Sequence, residues 1–330
     1  MSPRLRLLVA IVALSSLNGA RARAQSGTLV VVNKAASTAS VIDVASGTTL
    51  ATLPTGNGPH EVAITRDGQT AVVTDYGDRA GNNTLTVIDV AGLRVASTVD
   101  LGEYRRPHGI AFLPGDSIVA VTSEVAQAVV LVRVADGSIV KTLPTGQGGS
   151  HMLAVTGDGA TIYTGNIRDG TVSQLDVATG QSTRVFQTPP QPEAITVTAD
   201  GDEVWVGSNS EGKVSVVDVA TGAVDEALDG FSFPYRILIT PDNRQVLIPD
   251  FRAQELRIVD RATRAVVDVM PFDGAGPQGI TLSPDGTTVY HAMSLENRIA
   301  VIDLETRTVV RHIDAGARPD GVAYTDLVVR

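Results

Sequence analysis

The chain has 330 residues, is 43% hydrophobic, carries a formal net charge of −10 and contains no cysteine. Without cysteine it has no disulfide, no thiolate metal site, no covalent c-type haem and no cysteine nucleophile. Its acidity argues against nonspecific nucleic-acid binding, which runs on phosphate neutralisation, and its length is enough to bury a sizeable core.

The first 24 residues read as a secretory signal peptide. Arg4 and Arg6 make a basic start, Leu7 to Leu17 is mostly apolar, and Ala22-Arg23-Ala24 is an A-x-A cleavage signal. That apolar run is too short for a membrane span. The mature chain is expected to run from residue 25 to 330 as one domain, in a periplasm or outside the cell, with no membrane span after cleavage. The signal segment holds four arginines and no acid, so removing it leaves a net charge of −14.

From there the chain repeats itself. GPHEVAITRDG (58–68), RPHGIAFLPGD (106–116), GSHMLAVTGDG (149–159), QPEAITVTADG (191–201), FPYRILITPDN (233–243), GPQGITLSPDG (276–286) and RPDGVAYTD (318–326) share one text, at spacings of 48, 43, 42, 42, 43 and 42 residues. A fixed period in this range marks a propeller or a solenoid. Each repeat divides into four short strands, a to d, rich in Val, Ile and Thr and separated by Gly, Asp and Asn. In one repeat they are 195–198, 204–207, 214–219 and 223–228. No segment keeps a helical period, so the chain is all-β.

Strand b begins seven times, near Leu29, Thr70, Ile118, Thr161, Glu203, Val246 and Thr288, and strand c also ends seven times. The first repeat starts at strand b, with no strand a before it. The last segment supplies a strand a at Gly321–Thr325 with nothing after it. Pairing the two ends predicts a seven-bladed β-propeller of four antiparallel strands per blade, closed by its C-terminal strand so that no edge stays open.

The lines SPDGTTVY, VSVVDVATG and RIAVIDLETRTVVRHIDAG resemble the YVTN-type β-propeller repeat, over residues 28 to 329. Ser123, Ser208, Asp250 and Met293 depart from its Asn at the end of strand b, and Arg133 from its Asp at the end of strand c. The resemblance implies the propeller fold. It also implies similarity to lactonase-type propellers and to the propeller domains of some metal and haem reductases, while the family includes periplasmic and surface proteins of unknown role. The recurrent Asp ending strand c (Asp43, Asp89, Asp176, Asp218, Asp260, Asp303) is read as a turn-former, because one residue kept through the blades is what fold maintenance requires.

One column of the repeat varies. The residue after the lead-in Pro, or after Ser150, is His60, His108, His151, Glu193, Tyr235, Gln278 and Asp320 in turn. Strand a is innermost in a propeller, so these positions should ring the channel mouth. Imidazoles beside a carboxylate suit zinc, copper or iron, so His60, His108, His151 and Glu193 are a candidate site for a divalent metal, zinc or copper. Lys34, Arg106, Arg236 and Arg252 fall on the same face, which favours a small polar or anionic ligand there.

Three readings follow. The first is a binding or scaffold protein, monomeric by default, that receives a small ligand or a protein partner at a mouth made by His60, His108, His151, Glu193, Tyr235, Arg236, Gln278 and Asp320. The second rests on the resemblance: a lactonase-type hydrolase with His108 or Glu193 as general base. The third is a metal-handling protein. Residues 75–83 form a loop some five residues longer than its sisters, expected as a mobile lip on the channel face. His291, His312 and Trp205 are expected to be structural, and no G-x-S-x-G elbow stands in a strand–helix setting.

Overall fold

The computed structural model describes residues 26–330, so the signal-peptide segment and Gln25 lie outside the described residues. The described chain forms seven four-stranded antiparallel sheets. Six use four consecutive strands. The seventh joins the C-terminal strand Pro319–Thr325 to Thr28–Asn33, Thr38–Asp43 and Thr49–Pro54, with Leu29 opposite Tyr324 and Val31 opposite Val322. Blades are numbered here from this one. Ring closure through the chain ends is thus as the repeat count predicts. No helix among the described residues is long and apolar enough to cross a membrane.

The core lies between blades. Strands b and c are buried on both faces because each blade stacks on the next. The apolar clusters follow these contacts: Leu29, Val31 and Ile42 of blade 1 pack on Tyr290, Ala292 and Ile299 of blade 7, and Val30, Val32 and Val41 pack on Ala71, Val73 and Ile88 of blade 2. The Tyr290 and Tyr324 rings stack at 5.3 Å across the closure. Trp205 is fully buried, as expected, among residues of blades 5 and 6.

The turn-forming Asp behaves as its repetition suggests. Asp218 accepts from the Thr221 amide at 2.7 Å and the Thr221 hydroxyl at 2.8 Å, and Gly222 follows at φ 79°. Where Arg133 takes the place of this Asp, Asp136 supplies the carboxylate and accepts from the Ser138 amide.

Blade 6 departs from the pattern. Its inner strand shrinks to Leu238–Ile239 plus a single bridge between Pro234 and Asp250. The Tyr235 amide donates to the Pro249 carbonyl, but Pro249 has no N–H to return. Asp250 instead accepts from the Ser232 and Phe233 amides at 2.6 and 2.9 Å. This freed backbone carries two residues of the site, Tyr235 and Arg236.

Candidate functional site

The mouth residues are aimed by a repeated local device. Immediately after the variable residue the inner strand bulges: pairing with strand b slips between Pro59 and Val62, between Pro107 and Ile110, and between Ser150 and Leu153. A bulge bends its strand and re-aims a side chain, and here it turns the imidazoles into the channel. The preceding blade indexes two of them. Thr74 donates to the His108 carbonyl at 2.9 Å and Thr122 to the His151 carbonyl at 2.5 Å. Such close approach demands glycine at the next position in some blades. A Cβ on Gly279 would lie 2.0 Å from the Asp320 carbonyl oxygen, and one on Gly321 2.7 Å from that of His60.

The three histidines, from neighbouring blades, form a stack. Ring centroids are 4.0 Å apart between His60 and His108, and 3.6 Å between His108 and His151, with Tyr76 edge-on to His108 at 5.2 Å. The three differ in their partners.

His60 accepts from the Lys34 ammonium at 2.6 Å through Nε2, while its Nδ1 lies 3.2 Å from Asp320. His151 is held between two carboxylates, Nδ1 against Glu124 at 2.5 Å and Nε2 against Glu193 at 2.9 Å. Burial opposes charge on His151, but Glu193 and Glu124 outweigh it and raise its pKa to about 9. Burial likewise opposes the Glu193 carboxylate, yet His151 and Arg236 hold it at about 2. His108 is fully buried, and neither of its nitrogens has a hydrogen-bond partner among the described residues. Burial first, then the neighbouring His151 and His60, push its pKa well below the usual imidazole range.

Arg236, from blade 6, pairs with Glu61 of blade 2, with Glu193 at 3.5 Å, and with its own neighbour's carbonyl on Tyr235 at 2.7 Å. The Tyr235 hydroxyl donates to Asp320 of blade 1 at 3.0 Å. These links cross the ring, so the channel is barred and the mouth becomes a cup of about 370 Å³. His60, His108, His151 and Glu193 line it together with Lys34 and Tyr76. Phe233, Tyr235 and Phe251 form an aromatic wall with centroids 6.2 Å apart, and the exposed Arg252 lies over Phe233 at 4.6 Å. Gln278 also lines the cup, whereas Asp320 and Arg236 brace it without lining it.

Comparison with known proteins agrees on architecture. Residues 230–330 match the YNCE-like beta-propeller family. No curated protein matches the chain. Among solved structures, hydrazine synthase from Kuenenia stuttgartiensis is 20% identical at a TM-score of 0.73, over 86% of this chain and 93% of that one. A functionally unknown protein from Desulfotomaculum acetoxidans is 17% identical at 0.76, over 91% of this chain and 99% of that one. These likenesses show a β-propeller.

Four contributors are absent from the sequence reading: Tyr76, Glu124, Phe233 and Phe251. Three of them, with Lys34, belong to a second variable column, the residue just after strand b: Lys34, Tyr76, Glu124, Ile167, Asn209, Phe251 and Ser294. Its variation beside a repeating strand end was the available signal. Tyr76 comes from the long 75–83 loop, which is tied down rather than free-standing. Arg106 donates to the Tyr76 hydroxyl at 2.9 Å and to the Asp78 carbonyl at 3.0 Å. His291 is fully buried in blade 7 against Phe272, while His312 lies exposed on an outer strand.

Proposed function

We propose that the protein is an exported binding protein that holds a small ligand, anionic at one end and flat and apolar at the other, in the cup at the channel mouth. The observation that carries this reading is the pairing of an aromatic wall, Phe233, Tyr235 and Phe251, with Arg252 and Lys34 at the same opening. Apolar walls with a few convergent polar groups are the usual make-up of small-molecule sites. The barred channel gives such a ligand a floor. Export rests on the signal-like residues 1–24, and a YVTN-type lineage on the repeat text alone.

The hydrolase reading gains less support. A general base works best with a pKa near the operating pH. His108 is held well below that range and Glu193 at about 2. Both are poor proton acceptors as they stand, which favours binding over lactone hydrolysis.

The test is thermal melting of the full mature chain with benzoate, citrate and inorganic phosphate as probes. A ligand that binds only the folded state raises the melting temperature with concentration. Benzoate should raise it most, and Arg252→Ala and Phe233→Ala should each remove most of the rise. If none of the probes shifts the wild type, or if the shift survives both substitutions, the cup is not an anion-and-ring site.

A further inference from the structure

Beneath the cup is an arrangement that small-ligand binding does not explain. His108 buries two polar nitrogens with no partner among the described residues. An unsatisfied buried polar atom costs about 1–3 kcal/mol, so a side chain of this kind needs a reason. One donor atom from each of His108, His151 and Glu193 lies within 4.8 Å of the other two, and the same is true of His60, Glu61 and His108. Two possible metal sites thus share one histidine.

Their surroundings separate them. In the second trio, His60 Nε2 is occupied by the Lys34 ammonium at 2.6 Å, and Glu61 is paired with the Arg236 guanidinium. Arg236 also lies 3.5 Å from Glu193 of the first trio, so the difference is in the histidines: a cation sits on His60, whereas neither His108 nor His151 bonds one among the described residues. In the first trio, His151 presents Nδ1 to Glu124 at 2.5 Å and Nε2 toward Glu193. Glu124 is itself fixed by the Tyr76 hydroxyl at 3.0 Å and by Arg106 at 3.5 Å. A metal-binding histidine characteristically donates its other ring N–H to a carboxylate, which sets the tautomer and aims the ligating nitrogen. Glu124 stands in that outer position, and Glu193 in that of a ligand.

We infer that His108, His151 and Glu193 bind one divalent first-row transition metal ion at the floor of the cup, with Glu124 as the positioning residue for His151. The ion takes the place between His151 Nε2 and Glu193 that the shared proton holds in its absence. It also gives His108 the partner it lacks. Two imidazoles and a carboxylate, with no thiolate in the chain, suit zinc, iron(II) or copper(II) rather than calcium or copper(I). Three protein ligands leave a fourth position, and all three side chains line the cup, so that position opens into it. This inference stands independently of the small-ligand reading, since an ion can sit on the floor whether or not benzoate enters above it.

The experiment uses the mature chain without a His tag, stripped with a chelator. Zinc is titrated in competition with a chromophoric chelator, and cobalt(II) is added separately to record its visible spectrum. One zinc per chain is expected, together with cobalt bands of four- or five-coordinate intensity. Glu193→Gln, which keeps shape and removes the charge, should weaken zinc at least 100-fold and alter the cobalt spectrum. Glu124→Gln should weaken it 10- to 100-fold, in line with other outer carboxylates. His60→Ala should change affinity less than fivefold. His108→Ala is read only if its melting curve stays cooperative; the two Gln variants carry the test otherwise. Absence of stoichiometric zinc in the wild type overturns the inference. So does loss of zinc in His60→Ala with retention in Glu193→Gln, which would put the ion in the other trio.

Discussion

The guanidinium of Arg236 meets the carboxylate of Glu61 across the ring axis, although the two residues are 175 positions apart and sit on nearly opposite blades. Both are largely buried, and Glu193 shares the guanidinium. The pair is a crossbar that ties blade 2 to blade 6 where the ring has no backbone connection. Removing one partner of a buried pair leaves the other charge unpaired, at a cost of about 3–5 kcal/mol. Arg236→Met should therefore lower stability by about 3 kcal/mol in a denaturant titration, since Glu61 loses its guanidinium partner and Glu193 keeps only His151. Arg236→Met combined with Glu61→Gln should recover part of that loss. Equal stability of the single variant and the wild type would show that the crossbar contributes nothing net.

Asp75 ends strand b of blade 2, where blades 1 and 4 have Asn33 and Asn166. Asn33 donates to Thr38 and Ser40 and accepts from the Gly316 amide. Asp75 has the same kind of neighbours and, as a carboxylate, accepts from Thr84, Thr86 and the Gly56 amide. Burial raises its pKa to about 6 from an ordinary 3.8, against those hydrogen bonds. The folded state therefore holds a proton between pH 4 and 6 that the unfolded state releases. Stability falls as pH rises through that window, by about 3 kcal/mol in all. Asp75→Asn should remove this loss and make the protein more stable than wild type at pH 8, with little difference at pH 4. Melting temperatures at the two pH values check it, and a destabilised variant at pH 8 would contradict it.

These two cases mark what a linear reading can reach. The strands were legible because seven copies of one alternation reinforce one another, and ring closure followed from the missing first strand and the surplus last one. The His60, His108 and His151 column was legible because it varies beside a repeating proline. The column holding Tyr76, Glu124 and Phe251 is equally variable, but its residues share no chemistry until the channel brings them against the histidines. Arg236 and Glu61 carry no sequence signal of their pairing at all, since only the curvature of the ring makes them neighbours. The irregular inner strand of blade 6 had a visible cause in Pro249, an N–H missing from a strand that must pair on both sides.

His291 should shape acid stability in the opposite sense to Asp75. It is fully buried beside the Phe272 ring, and burial depresses its pKa to about 3. The unfolded chain therefore takes up a proton near pH 6.5 that the folded chain refuses. Stability present above that pH is lost as pH falls toward 3, by at most about 5 kcal/mol. His291→Gln should flatten this acid limb, whatever it costs at pH 8. The slope of unfolding free energy against pH between 4 and 6 measures it, and an unchanged slope would show that His291 is not a source of acid sensitivity.

Closure of the ring makes the last strand indispensable in a way that the ends of open repeats are not. Pro319–Thr325 is the inner strand of blade 1, it covers the edge of Thr28–Asn33, and it carries Asp320 into contact with His60 and the Tyr235 hydroxyl. Val322 and Tyr324 belong to the core between blades 7 and 1, and Val329 to the core between blades 1 and 2. Removing residues 317–330 therefore opens two interfaces at once and leaves a bare apolar strand edge, the template for aggregation. The truncated chain should lose its cooperative melt and elute as aggregate, and a synthetic peptide spanning 317–330 should restore a monomeric, cooperatively melting complex. A truncated chain that melts cooperatively within a few degrees of the full one would mean that the remaining blades hold the ring without the closing strand.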